Sequence, residues 1–373
     1  MSSDLRTKAF DPAGSTTPAA QAPSDTAIVQ RIPLGSDPLL RQHFMVTDEP
    51  VKANLRVGLM LERLDSLAEM TALRYVQQFR PEARVVTASI DDLKVCAPPD
   101  LERDIDLLAQ INYVGKTSVE VGIRIEHPGP QAIHLGSCYF TMVARLPEGK
   151  GLATLPGLRY VTNVEAQRAE RAALRRRNRS ATSDHEPPSA EEWKDLLAHH
   201  QEASRRPGAS LAASDLLLST WERTYPAQEN VPLTIFGGYI LHRAYVSAHM
   251  CAELVADHRA LLVAASRINF YEPVRMGDKL HFLSRVTYVG NSSVCVETEI
   301  VRVSRDRSLR ELSNTCVFTF VNVDKDLNLL PIIPVSPGSF IEDARYLAGR
   351  RRHMSYLAQR SRGAASHPSS EGA

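Results

Sequence analysis

Two distant stretches of the chain alternate apolar and polar residues with a period of two. In the first, Ile105, Leu107, Ala109, Ile111 and Tyr113 share one face, and Val119, Val121, Ile123 and Ile125 follow after a turn that contains Gly115. In the second, Leu280, Phe282, Val286 and Tyr288 are followed by Val294, Val296 and Ile300. Successive strand side chains point to opposite faces, so this spacing predicts two hairpins, each burying one side. A further apolar run follows each hairpin, around 138–144 and 316–322, and supplies a third strand.

Ahead of each hairpin the period changes to that of a helix. Met60, Leu61, Leu64, Leu67 and Ala68 recur every three or four positions, with Glu62, Asp65 and Glu69 on another side. That acidic spacing is also the spacing of an ordinary solvated stripe. Ile240, Leu241, Ala244, Val246, Ala248 and Cys251 make the later helix apolar over most of its surface, which predicts deep burial. One long helix followed by several antiparallel strands is an α+β unit in which the sheet wraps the helix.

The two units read as copies of one another. Tyr113-Val114-Gly115-Lys116-Thr117-Ser118-Val119 returns 175 residues on as Tyr288-Val289-Gly290-Asn291-Ser292-Ser293-Val294. Val86-Thr87-Ala88-Ser89 matches Val263-Ala264-Ala265-Ser266, and Phe140-Thr141-Met142-Val143 matches Phe318-Thr319-Phe320-Val321, at offsets of 177 and 178. Three matches in one order at near-constant spacing indicate a tandem duplication.

At 373 residues the chain exceeds a single comfortable core, in keeping with two domains. Lys plus Arg (44) nearly cancel Asp plus Glu (43), so no global field favours nucleic acid or an anionic membrane, and any polyanion site must be local. The five cysteines lack a CxxC pair and mostly sit in apolar runs, which suits buried free thiols in a reducing compartment. No run approaches the ~20 apolar residues needed to cross a bilayer, and a secretory signal core is missing, so a soluble, non-secreted protein is expected.

The chain thus divides into a flexible leader at 1–42, a first domain at 43–150, a charged linker with helical pieces at 151–225, a second domain at 226–350 and a loose tail at 351–373. The leader is rich in Ala, Pro, Ser and Thr, but Asp4, Asp11 and Asp25 interrupt it, which argues against a mitochondrial transit peptide. In the linker, Arg168, Arg171, Arg175, Arg176, Arg177 and Arg179 read either as a solvated helix face or as a phosphate-contacting patch.

Several familiar chemistries find no support. Gly115-Lys116-Thr117 suggests a P-loop, but the position five residues earlier is Gln110 where a glycine is needed, and strands flank it on both sides. No GxSxG elbow offers a serine nucleophile. No HExxH occurs, and the adjacent His199 and His200 point in different directions, so no metal site is expected.

Three ordered motifs resemble the hot-dog acyl-CoA thioesterases. They are Ile235-Phe236-Gly237-Gly238-Tyr239-Ile240-Leu241, the run from Ala264 through Ser266, Arg267, Ile268, Asn269 and Phe270 to Pro273 and Gly277-Asp278, and the turn Gly290-Asn291-Ser292-Ser293. Arg56-Val57-Gly58-Leu59-Met60-Leu61-Glu62-Arg63-Leu64-Asp65-Ser66-Leu67 is similar to a string of the mitochondrial branch with two fused hot-dog domains, and the likeness spans about residues 43–350.

The resemblance implies tandem hot-dog domains that share a site, each an antiparallel sheet around a long helix. Counting seven from Gly58 places Asp65 at the family's catalytic acid, whereas seven from Gly238 gives Tyr245, so one site keeps its carboxylate and the other does not. Hydrolysis of a thioester needs a base or a nucleophile, which Asp65 can supply, and a stabilised oxyanion, for which the amides of Gly237 and Gly238 at a helix start are suited.

The family often places an asparagine shortly before the glycine pair. Here Leu233, Thr234 and Ile235 stand there, leaving Asn230 as the nearest candidate, and Asn54 would face the Tyr245 half as a relic. Phe236 and the turn residues Lys116, Thr117, Ser118, Asn291, Ser292 and Ser293 are candidate contacts to the acyl-CoA substrate, although the turns also read as plain β-turns. By the same resemblance no cofactor is required, a trimer of double hot-dogs is expected, and the location is mitochondrial, with cytoplasmic as the alternative.

Two other functions compete. A hot-dog dehydratase or hydratase would use a His beside a carboxylate, and no His lies near Asp65 in its helix. A non-catalytic acyl-CoA binding or regulatory protein would fit the Tyr245 half and the displaced asparagine.

Overall fold

A computed structural model describes residues 21–147, 151–181, 187–206, 208–231 and 234–365. Strand β1 (Ile28–Ile32) and the short helix α1 (Pro38–Phe44) precede α2 (Val57–Phe79), which leads into β2 (Arg84–Val95), β3 (Ile105–Val114), β4 (Ser118–His127) and β5 (Ile133–Arg145). Helices α3 (Asn163–Ala181) and α4 (Ala190–Arg205) follow, then β6 (Leu211–Ala212), β7 (Leu217–Arg223), β8 (Glu229–Val231) and β9 (Thr234–Ile235). The second half contains α5 (Gly237–Ala252), β10 (Arg259–Phe270), β11 (Lys279–Val289), β12 (Ser293–Val303), β13 (Arg310–Val323), β14 (Val335–Ser336) and α6 (Phe340–Ala365).

Ten strands form one antiparallel sheet in the order β1-β3-β4-β5-β2-β10-β13-β12-β11-β7. The halves mirror each other about its centre, where β2 pairs β10 with Ser89 opposite Asn269 and Lys94 opposite Ala264. The apolar faces read from the sequence line the core: Ile105, Leu107, Val119, Val121, Leu280, Phe282, Val294 and Val296 are buried together with Leu64, Leu67, Leu241 and Ala244 of the two long helices. Tyr113 and Tyr288 depart from their expected faces. A bulge between Ile111 and Tyr113, and another between Val286 and Tyr288, advances each strand by one residue and turns the alternation over.

Strand pairing also corrects one of the sequence matches. Phe140 and Phe318 do correspond, but Thr87 pairs with Met142 where Leu262 pairs with Phe320, so β2 and β10 align at an offset of 175 instead of 177. The counterpart of Thr87 is therefore Leu262.

The boundaries differ from those expected at three places. Residues 1–20 of the proposed leader lie outside the described residues, but Ile28–Ile32 forms an edge strand on β3, and Ile32 and Leu34 are buried; the polar flanks mask this short apolar segment. Within the proposed linker, Leu217–Arg223 is the other edge strand, paired with β11. In the proposed tail, α6 continues to Ala365, and it is anchored at 350–353, where Arg350 and Arg351 pair with Asp195 and Glu192 of α4 and His353 is buried.

The linker arginines are likewise not all solvated. Helix α3 packs its Ala169 and Ala172 inward and sets Arg175 between Glu120, at 2.5 Å, and the Tyr139 ring, whose centroid is 3.6 Å away. Glu120 is 5% exposed, so removing its partner strands a buried charge. Arg175→Ala is expected to cost about 3 kcal/mol in urea denaturation, whereas a surface arginine such as Arg206 should cost less than about 1 kcal/mol; equal losses would refute a structural role for α3.

Candidate active site between the two halves

Helices α2 and α5 lie against each other in the concavity of the sheet. His242 of α5 bonds Glu62 of α2 through Nδ1, at 2.7 Å, and its ring fills the space over Gly58. One turn further along α2, Asp65 meets the start of α5. The two helices therefore run antiparallel, and each presents its glycine-bearing first turn to the middle of the other.

Asp65 is only 1% exposed. Its Oδ1 accepts the Thr87 hydroxyl at 2.7 Å, and its Oδ2 accepts the Gly238 amide at 2.6 Å. Burial pushes the carboxyl up to about 7, against the Thr87 and Gly238 hydrogen bonds that hold it down, with Glu69 adding a smaller upward push. Helix α5 has Phe236 at its N-cap and no capping side chain of its own. A carboxylate from the other half thus caps it, where exposed amides and the helix dipole favour negative charge.

Space around the glycine pair is tight, most of all at Gly238. A Cβ on Gly238 would lie 2.7 Å from two atoms of the Phe236 ring and 3.0 Å from the Asp65 Cβ. One on Gly237 would approach Asp65 Oδ2 to 3.2 Å and the Phe270 ring to 3.4 Å. Two backbone bonds, Phe236 to Gln228 at 2.8 Å and Ile235 to Val274 at 2.9 Å, fix the approach to this helix start.

Asp65, Gly237, Gly238 and Phe236 therefore converge, joined by Thr87 and Phe270. The Gly238 amide is engaged by Asp65, which leaves Gly237 as the neighbouring first-turn donor. Asn230 lies in β8, and its side chain falls outside the described residues. Asn54 has a local role: it is buried, its Oδ1 accepts the amides of Val46 and Thr47, and its Nδ2 donates to the Thr47 carbonyl.

The hairpin turns lie apart from Asp65. In the first, Gly115 donates to Ser118, and the carbonyls of Lys116 and Thr117 accept from Leu155 and Ala144. In the second, Gly290 donates to Ser293, and Asn291 and Ser292 accept from Ile332 and Asn322.

No sequence motif marks Thr87 as a site residue. Its signal is a hydroxyl at an inward strand position whose counterpart, Leu262, is apolar. At the mirror position Tyr245 is buried and packs against Phe318, Phe320 and His249, so both polar groups of the site are absent there. A histidine does approach α2, since His242 bonds Glu62 one turn from Asp65, but Asp65 itself bonds Thr87 and Gly238. A separate cavity of about 230 Å³ lies under α6 between Arg285 and Arg345 and does not include these residues.

Residues 234–308 match the model of the Thioesterase superfamily. The chain is 28% identical over 350 residues to human mitochondrial acyl-coenzyme A thioesterase 9, an alignment that covers 89% of this chain and 77% of that one. To chloroplastic acyl-coenzyme A thioesterase 2 of Humulus lupulus it is 27% identical over 291 residues, covering 71% and 66%. Protein VdlD of Helicobacter pylori is 36% identical over 126 residues, which are 33% of this chain and 68% of that protein.

The raised Asp65 pKa has a consequence for stability. The folded chain holds this proton more tightly than the unfolded one, so the contribution of Asp65 to stability is full below about pH 4 and is lost as pH rises to about 7. Asp65→Asn should therefore gain on the wild type by up to roughly 4 kcal/mol between pH 4 and 8. Urea denaturation of both proteins at the two pH values measures this gap, and a gap that stays constant would contradict the assignment.

Proposed function

The chain belongs to the double hot-dog acyl-CoA thioesterases, which hydrolyse acyl-CoA to a free fatty acid and CoA, and we propose that it does so at the single composite site around Asp65. The observation that carries this reading is the buried carboxylate of one half held against the first turn of the other half's helix. In its ionised form Asp65 takes a proton from water while the water oxygen bonds to the thioester carbon. The carbonyl oxygen gains negative charge and is met by the Gly237 amide and the positive end of α5. The carbon–sulfur bond then breaks, and the CoA thiolate leaves with the proton that Asp65 took.

Thr87 and Gly238 hold the two carboxylate oxygens so that the base keeps one orientation. Phe236 and Phe270 flank the acyl group, and Asn230 orients the water or the carbonyl. The turn residues Lys116, Thr117 and Ser118 contact the nucleotide end of the substrate, with Asn291, Ser292 and Ser293 as their counterparts. The likeness to the human protein supports a mitochondrial location, and the family resemblance supports assembly of the chain as a trimer.

CoA release followed with a thiol reagent tests the reading. Asp65→Asn should lower kcat by about 10²- to 10⁴-fold, and retention of wild-type turnover would remove Asp65 from the mechanism. A wild type that binds acyl-CoA but releases no CoA would instead identify a binding protein.

The base must be ionised, so kcat/KM should fall below a limb near pH 7. Thr87→Val removes a bond that holds the pKa down, and the limb should move to higher pH. A limb that moves down or stays in place would show that Thr87 does not stabilise the carboxylate.

A further inference from the structure

The duplication brings equivalent turns to the two halves but gives them different charge. Gly115 and Gly290 correspond, and each carries a residue from a helix on the outer face of the sheet: Arg176 of α3 and His353 of α6. In the first half the turn holds Lys116 and the helix continues with Arg177. In the second, the same places hold Asn291 and Met354. Lys116, Arg176 and Arg177 are exposed, and among the described residues none of them has an ion-pair partner. The counterpart His353 is buried.

The basic turn belongs to the half that supplies the carboxylate, and the strand register places it at the same end of the sheet. Thr87, which bonds Asp65, pairs with Met142, and Met142 pairs with Val119, one residue past the turn. Two strand spacings, about 10 Å in all, separate Thr87 from the mouth of the hairpin. An extended pantetheine arm is longer than that. Helix α3 is also fixed: the Arg175–Glu120 pair and Ala169 and Ala172 seat it on the sheet, and Arg176, seven residues after Ala169, carries the same stripe onto the turn. The Arg176 Nη1 lies 2.7 Å from where a Gly115 Cβ would stand.

Resting on the thioesterase reading above, we propose that Arg176 of the inter-repeat helix, with Arg177 and Lys116, receives the phosphates of the CoA nucleotide, and that only the first half has this subsite. Guanidinium groups match phosphate oxygens in a fork, and a neutral Asn–His–Met set offers no equivalent. The charged stretch between the repeats then serves substrate selection, as an outer helix of the first domain.

Steady-state kinetics on the full chain with acyl-CoA and with the matching acyl-pantetheine, which lacks the phosphates, test the assignment. Arg176→Ala combined with Arg177→Ala should raise KM for acyl-CoA by about tenfold, with kcat unchanged and KM for acyl-pantetheine unchanged. Arg176→Lys should recover part of the loss. An unaltered KM for acyl-CoA, or an equal rise for both substrates, would overturn the subsite. Absence of CoA release by the wild type would instead overturn the thioesterase reading, so the two failures are distinct.

Discussion

The arrangement depends on one contact, the buried Asp65 carboxylate against the Gly238 amide of the other half. A carboxylate out of water is unfavourable unless donors replace its hydration. Here the replacement comes from a strand hydroxyl and from a helix start that lacks a cap of its own. Neither half holds the full set, so the site exists only where the halves meet. The continuous sheet, joined through β2 and β10, keeps the two helices at that separation.

The same frame explains why the second half contributes no equivalent site. Replacing Asp65 by Tyr245, and Thr87 by Leu262, turns a polar pair into aromatic and aliphatic packing beside Phe318 and Phe320. The interface there gains apolar burial and carries no desolvated charge. Between the two positions, Glu62 and His242 occupy corresponding places four residues beyond Gly58 and Gly238 and bond each other across the pseudo-twofold. An identical pair at that point would set acid against acid, or histidine against histidine.

Much of the fold was readable because its signals are local. The period-two runs, the helical runs and the repeated Tyr-Val-Gly turns predict both halves, and the motif around Gly238 locates the helix start. What was hidden depends on pairing. The stripe of Glu62, Asp65 and Glu69 has the spacing of a solvated face, and nothing in α2 alone shows that Gly238 will lie against its middle member. Thr87 is an unremarkable strand residue until its register places it beside Asp65. The bulges at Tyr113 and Tyr288 turn over a pattern that reads as uninterrupted, and β1 and β7 gain partners only from strands far along the chain.

The linker shows how composition can mislead when charge serves several purposes in one helix. Arg175 is half-buried against Glu120 and Tyr139 and is structural, while Arg176 and Arg177 are exposed beside the turn. A run of arginines reads as uniform in sequence, yet each step along a helix rotates the side chain by about 100°. One turn can therefore anchor the helix with one guanidinium and present the next to solvent. The anchor also gives the exposed pair a fixed place, because a phosphate receptor on an unseated helix would lose its register with a site two strands away.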